Sequence, residues 1–217
     1  MASSTDGRAT RWDQHRVTRR QELVEHTLRA IRSHGASVGM DEIAAQAGTS
    51  KTVIYRHFGD RAGLYTAVVA QVHDNIHRGL EAALQLSDPS DLPVLAHDLA
   101  DAYLSLVERD PEIYRFVLAP PSPEAAADVD PYGGLPEAMG DHVGQAISDH
   151  LVAHGQDPAY AFTWGHGLVG FIRAAADRWM VSGGTQSRAQ VVAAIDAFFT
   201  PALAAGLAAV PHLQEQR

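Results

Sequence analysis

The sequence predicts an all-α fold: an N-terminal three-helix helix-turn-helix module followed by a helical bundle, with about nine helices in all. Three observations carry that prediction. Strand signals are nearly absent, with few β-branched runs, no sustained period-two alternation and no Asn-Gly or Asp-Gly pair between two strand-like segments. Alanine, the strongest helix former, recurs throughout the chain. Gly and Pro punctuate stretches in which apolar residues return every three or four positions, the period of a helix face.

Taken in order, residues 1–15 are rich in Ser, Thr, Asp and Arg and read as a mobile basic tail. A first helix is expected from about Val17 to His34, because Val24, Leu28 and Ile31 share a face and Gly35 follows. A short helix over Met40–Ala47 starts behind Gly39. It carries Asp41 and Glu42 in its first turn, where acids suit the helix dipole, and it stops at Gly48. Ser50 is placed to cap a third helix, Lys51–Phe58, which Gly59 ends. Asp60 then caps a long helix to about Leu86, with Leu64, Val68, Val72, Ile76 and Leu80 spaced by four. After a turn at Ser87–Ser90, Leu92–Arg109 shows a stripe of Leu95, Leu99, Tyr103 and Leu106. Pro111 opens a short helix carrying Ile113, Phe116 and Val117, proline being suited to a first helical turn. Residues 119–136 hold five prolines and read as a long loop. Helices follow at about 136–154, 158–181 and 187–209, with Pro201 placed to kink or end the last.

Composition narrows the function classes. The chain of 217 residues contains no cysteine, which excludes a disulfide scaffold, a thiolate zinc site and a cysteine nucleophile. No apolar run approaches the roughly 18 residues of a membrane span, and the N-terminus lacks the apolar core of a signal peptide. A soluble, cytoplasmic protein with no membrane partner is expected. The net charge of −9 speaks against a polyanion partner until it is divided along the chain. Residues 1–61 hold ten basic and seven acidic residues, a sum of +3, whereas the remaining 156 hold seven basic and nineteen acidic, a sum of −12. A basic module on an acidic body suggests an anionic target met by the N-terminal part alone.

The richest stretch is GMDEIAAQAGTSKTVIYRHF, residues 39–58. Two short helices meet at Gly48 through a tight Gly-Thr-Ser turn, the arrangement of a helix-turn-helix whose second helix enters a DNA groove. Ile43, Ala44, Ala47, Ile54 and Phe58 can pack inward on Leu28 and Ile31. Ser50, Lys51, Thr52, Val53, Tyr55, Arg56 and His57 are left to point outward, and hydroxyls, a phenol and cations suit base edges and phosphates. Lys51 is the only lysine in the chain. The competing reading of this stretch is a solvated amphipathic helix pair in an ordinary bundle.

Residues 20–70 resemble the DNA-binding domain of the tetracycline-repressor (TetR) family. The matching positions are Ile43-Ala44, Ala47-Gly48, Ser50-Lys51, Ile54-Tyr55, His57-Phe58, the turn Gly59-Asp60-Arg61 and Leu64. The sequence departs from the family pattern at Ala36, where an aromatic is usual, and at Gly39, which replaces a Thr cap. The resemblance implies a homodimeric transcriptional regulator, usually a repressor of a near-palindromic operator released by a small molecule. It implies that Ser50, Thr52, Val53 and Tyr55 meet the groove or its walls, that His57 and Arg61 contact phosphates, and that Lys51 contacts a base or a phosphate. Arg11, Arg16, Arg19 and Arg20 are placed to form an arm on the DNA backbone or in the minor groove, or a basic tail without a partner. Residues 16–65 are therefore expected to form the DNA-binding domain and 66–217 the ligand-binding and dimerisation domain.

In the second half, aromatic residues at helical spacing either fill the core or line a ligand pocket between helices. Tyr103, Tyr114, Trp164, Leu168 and Phe171 are the pocket candidates, with Arg115 or Arg173 as a partner for an acidic group. Aromatic lining points to a lipophilic effector. Gly165–Gly170 matches the G-x-G-x-x-G spacing, but a dinucleotide fingerprint must follow a strand, and this one sits inside a helical run. The small residues Gly167, Gly170 and Ala174 instead suit close helix approach. The resemblance places the last two helices at a dimer interface, with Gly167, Gly170, Ala174 and Phe198 as its candidates. His73/His77 and His150/His154 have the spacing of a helical metal clamp but lack a third ligand fixed by spacing. No metal, cofactor or catalytic residue is expected. The expected partners are double-stranded DNA, a small-molecule effector and a second copy of the chain. The competing classes are a helical ligand carrier or enzyme with a vestigial helix-turn-helix, and a ligand-independent DNA binder.

Overall fold

A computed structural model describes residues 6–85, 91–119, 135–183 and 185–204. Among the described residues there are nine helices and no strand: α1 Asp6–His34, α2 Met40–Gln46, α3 Lys51–Phe58, α4 Arg61–Leu84, α5 Leu92–Arg109, α6 Pro111–Val117, α7 Leu135–Ala153, α8 Ala161–Val181 and α9 Arg188–Ala204. They divide into two compact units. Unit 1 takes Met1–Val72 and Glu112–Pro131, and unit 2 takes His73–Pro111 and Tyr132–Arg217.

The helix assignments follow the sequence with two differences. First, α1 begins at Asp6 rather than near Val17, so residues 6–15 continue the helix instead of forming a tail. No glycine or proline interrupts the run from Arg8 to His34, and Thr18 Oγ1 donates to the Gln14 carbonyl one turn back at 3.0 Å. Second, Pro201 does not end α9, which continues to Ala204. Most of the expected Pro-rich loop, the Ser87–Ser90 turn and the end of the last expected helix lie outside the described residues.

In unit 1, Leu23, Leu28 and Ile31 of α1, Ile43 and Ala44 of α2, Ile54 and Phe58 of α3, and Leu64 and Val68 of α4 are buried. Each fully buried Leu or Ile stabilises the unit by about 1.5–3 kcal/mol before entropy is counted. Thr27, the buried polar residue of α1, satisfies its hydroxyl on the Leu23 carbonyl at 2.8 Å. Helix α6 joins this unit through two polar ties. The Tyr65 hydroxyl donates to the Val117 carbonyl, and the Glu112 carboxylate accepts from the Ala36 N–H at 2.9 Å.

In unit 2, α7 and α8 approach closely because glycines face each other. A Cβ on Gly165 of α8 would fall 2.5 Å from the Gly144 nitrogen and 2.6 Å from the Gly140 carbonyl of α7. Only hydrogen fits there. Between α5 and α9, Arg188 pairs with Asp101 at 2.9 Å and Glu108 at 3.2 Å, and His97 Nδ1 lies 2.8 Å from Asp196. The Trp179 indole N–H closes the end of α8 on the Gln186 carbonyl at 2.8 Å.

Candidate nucleic-acid interface and ligand cavity

The turn between α2 and α3 is built from the backbone outward. Gly48 takes φ +59°, a left-handed conformation that costs a glycine nothing. Its N–H bonds the Ala45 carbonyl at 3.1 Å while the Thr49 N–H reaches the Ala44 carbonyl at 3.0 Å, so the last carbonyls of α2 are satisfied by a Schellman-type cap. Ser50 then caps α3 by accepting from the Val53 N–H at 3.4 Å. Gly39 supplies no side-chain cap to α2, and Asp41 and Glu42 in the first turn leave favourable charge there instead.

The two faces of α3 separate as the sequence predicts. Ile54 and Phe58 are buried, Ser50, Lys51, Thr52 and Arg56 are exposed, and Val53, Tyr55 and His57 are half-buried. The exposed side therefore offers two hydroxyls and two cations on one short helix, the groups that read base edges and phosphates.

Basic residues gather near the end of α3. Burial pushes the His57 imidazole below its ordinary pKa, and the positive charges of Arg56, Arg19, Arg16 and Arg20 push it the same way. These four arginines make the local field positive. They differ in freedom. Arg20 donates to the His57 carbonyl and lays its guanidinium 4.3 Å from the Phe58 ring centroid, so it caps and covers α3. Arg19 pairs with Glu22 on its own helix at 2.7 Å. Arg61 reaches back to the Val38 carbonyl at 3.4 Å. The arm drawn from Arg19 and Arg20 is thus engaged with the protein itself, because both lie on a continuous helix rather than on a tail.

Asp41 belongs to this surface and sequence reasoning missed its role. Its Oδ1 lies 2.9 Å from Lys51 Nζ, and this hydrogen bond, followed by the Asp41 charge, raises the lysine pKa. The signal was the spacing: the first turn of α2 and the first residue of α3 are brought together whenever the turn is this tight.

Unit 2 holds a small pocket that opens to solvent. Leu80 comes from α4, Leu99 and Tyr103 from α5, Pro136 and Met139 from α7, and Val169, Ile172 and Arg173 from α8. Of the five pocket candidates only Tyr103 lines it. Tyr114 is buried in unit 1, Leu168 is buried away from the cavity lining, Trp164 packs on Tyr160, and Phe171 faces outward. Aromatic identity alone did not separate core, surface and lining, since those depend on which side of each helix a residue takes. Phe171, Phe198 and Phe199 form a cluster with ring centroids 5.1–5.2 Å apart, and Phe198 is 66% exposed. Gly167, Gly170 and Ala174 are also off the core, and a Cβ on either glycine would meet nothing within 4 Å.

The remaining motifs resolve into packing. Gly165–Gly170 lies within α8. His77 pairs with Glu81 at 3.0 Å, and the His150 and His154 rings stack with centroids 4.3 Å apart. Among the described residues no group of three or more His, Asp or Glu is placed to hold a metal ion. No helix among them is long and apolar enough to cross a membrane.

Comparison with known proteins agrees with this architecture. Residues 23–68 match the family profile described as bacterial regulatory proteins, tetR family, and residues 80–212 match the tetracyclin repressor-like C-terminal domain. An uncharacterized HTH-type transcriptional regulator of Mycobacterium tuberculosis (strain H37Rv) is 36% identical over 177 residues, covering 81% of this chain and 74% of its own. A tetR-family transcriptional regulator from Streptomyces coelicolor superposes with a TM-score of 0.64 at 19% identity, covering 88% of this chain and 82% of that one. The transcriptional regulator FadR from Bacillus subtilis, solved in complex with stearoyl-CoA, superposes with a TM-score of 0.64 at 10% identity, covering 82% of this chain and 96% of that one.

Proposed function

The chain belongs to the tetR family of DNA-binding transcriptional regulators, and from that premise we propose that it acts as a ligand-responsive repressor. As a homodimer it places two copies of α3 in successive major grooves of a near-palindromic operator. One observation carries the DNA half of this reading: the exposed Ser50, Lys51, Thr52 and Arg56 on one side of α3, beside arginines whose charges add to burial in lowering the His57 pKa. Half-sites about one helical turn or a multiple apart follow from a two-fold dimer. The exposed Phe171–Phe198 cluster and the open Gly167 and Gly170 on α8 support a dimer built on α8 and α9, since apolar surface of that kind is normally covered.

The effector is a small lipophilic molecule held in the unit 2 cavity. Its action rests on differential affinity: it releases DNA only if it binds a conformer that fits the operator poorly. A cellular location with the chromosome, the cytoplasm, goes with this role, and no catalytic step is part of it. The test is binding of the purified protein to the DNA upstream of its own gene, followed by fluorescence anisotropy across a salt series. A salt-sensitive affinity well above that for unrelated DNA is expected. Equal, weak binding to both sequences rejects the reading. Native mass spectrometry of the protein as purified reports the dimer and any retained effector together.

A further inference from the structure

We propose that Lys51 and Asp41 act as one unit that reads a G·C base pair in the major groove, once in each half-site. The inference deepens the DNA-binding reading above and rests on it: it assigns the base pair that the start of α3 recognises. Lys51 is the first residue of α3, and the first residues of a recognition helix are the ones that meet base edges. Its Nζ lies 2.9 Å from Asp41 Oδ1 and 3.2 Å from Oδ2. Both side chains are exposed, Lys51 at 47% and Asp41 at 81%. The surface thus presents a cationic donor and an anionic acceptor side by side, at the spacing of a hydrogen bond.

The two targets that a duplex offers respond differently to such a pair. A phosphate has acceptors alone, so it attracts the ammonium and repels the carboxylate beside it. Base edges mix donors with acceptors. Across the major groove a G·C pair shows guanine N7 and O6 as acceptors and then the cytosine N4 amino group as donor. O6 and N4 are joined by a Watson–Crick hydrogen bond of about 2.9 Å, which matches the Lys51–Asp41 separation. The four groups therefore close a ring: the ammonium donates to O6, and the second N4 hydrogen goes to the carboxylate. Donor numbers agree as well. An ammonium has three N–H groups, so one spent on Asp41 leaves two for O6 and N7. An A·T pair runs acceptor, donor, acceptor, so the carboxylate takes the adenine N6 amino group and the ammonium keeps one neighbouring acceptor instead of two. The extra bond favours G·C. The net charge of the pair is zero, so it releases no counterion from the duplex and adds sequence preference without salt dependence.

The experiment selects binding sites for the full-length protein from a randomised duplex pool, then titrates the enriched duplex by anisotropy across a salt series. Each half-site is expected to hold a G·C pair whose exchange for A·T weakens wild-type binding about tenfold. Asp41→Ala should reduce that penalty to about threefold or less and steepen the salt dependence, because the freed Lys51 then meets phosphate. The other positions of the motif should survive, which is the internal control for folding. Asp41→Glu, which keeps the carboxylate, should retain more of the penalty than Asp41→Ala. The double variant Lys51→Ala with Asp41→Ala should lose the preference and keep the wild-type salt slope. An Asp41→Ala protein with the full tenfold penalty overturns the proposal. So does a double variant whose salt slope falls by about one, the mark of a lost phosphate contact. In either case a near-palindromic motif that is still selected leaves the regulator reading intact. A wild-type protein that enriches no motif overturns both.

Discussion

Lys51 Nζ, at the start of the recognition helix, is held 2.9 Å from the Asp41 carboxylate of the preceding helix. The chain's only lysine is therefore held in place, and a DNA phosphate that met it would compete with an anion already there. Asp41→Asn removes the competitor and one repelling charge. It is expected to tighten binding to non-specific DNA several-fold and to steepen the salt dependence. Lys51→Ala should weaken binding and lower the salt slope by about one if the contact is to phosphate. Anisotropy titrations at four or more salt concentrations separate these outcomes.

Arg20 is predicted to matter for folding as much as for DNA. Its hydrogen bond to the His57 carbonyl and its stacking on Phe58 join α1 to the end of α3. Arg20→Ala should lower stability by about 1 kcal/mol, seen as a lower denaturation midpoint. Arg56→Ala, an exposed change on the same patch, should reduce DNA affinity with the midpoint unmoved. If the two variants behave alike in the denaturation curve, Arg20 has no such tie.

Proton linkage gives a third test. The folded His57 pKa lies below its unfolded value of 6.5. The unfolded chain therefore binds more protons just below pH 6.5, and the folded state loses stability as pH falls through that window. A docked phosphate reverses the electrostatics and favours imidazolium. Operator affinity should rise as pH falls from about 7.5 to 6, and His57→Gln should flatten that profile. A profile unaltered by the substitution removes His57 from the phosphate contacts.

Two glycines of α8 should respond in opposite ways. Gly165→Ala forces a Cβ into the backbone of α7 and is expected to destabilise by about 1–3 kcal/mol. Gly167→Ala meets no atom of its own protomer within 4 Å and, measured where the protein is monomeric, gains helix propensity, up to about 1 kcal/mol. Thermal unfolding of both variants decides the matter, with equal shifts counting against the α7–α8 packing described above.

Phe198 stands 66% exposed within the phenylalanine cluster. Phe198→Glu puts a charge on the proposed dimer surface and should shift the sedimentation profile toward monomer at micromolar protein. It should also weaken operator binding, because one half-site is then read alone. A dimer unaffected by the charge moves the interface elsewhere.

The head was far more legible in the sequence than the cavity, for a physical reason. A helix-turn-helix is local: Gly48, Ser50 and the alternation of buried Ile54 and Phe58 with exposed Lys51 and Arg56 fall within about twenty consecutive residues. Each is governed by turn chemistry and helical period. The cavity draws on α4, α5, α7 and α8, and a residue reaches it only when the rotation of four helices agrees. Tyr103 and Phe171 look equivalent in sequence, yet one lines the cavity and the other stacks on the surface. Arg115 and Arg173 are equal candidates in the sequence, yet Arg173 lines the cavity and Arg115 pairs with Glu112 on its own helix. Asp41 does not stand out, because an acid in a first helical turn already has a local explanation.

Unit 1 is assembled from two separate stretches of chain, with α6 supplying the acceptor for the Tyr65 hydroxyl and the carboxylate for the Ala36 N–H. The head is therefore not a detachable cassette. A single crossover near residue 72 would carry α1–α3 and the first half of α4 into a new body while leaving behind Glu112 and the Val117 carbonyl that two of its polar groups require. A working graft needs a second junction that brings residues 112–117 along, which makes one-step exchange of heads between such regulators a costly route to new operator specificity.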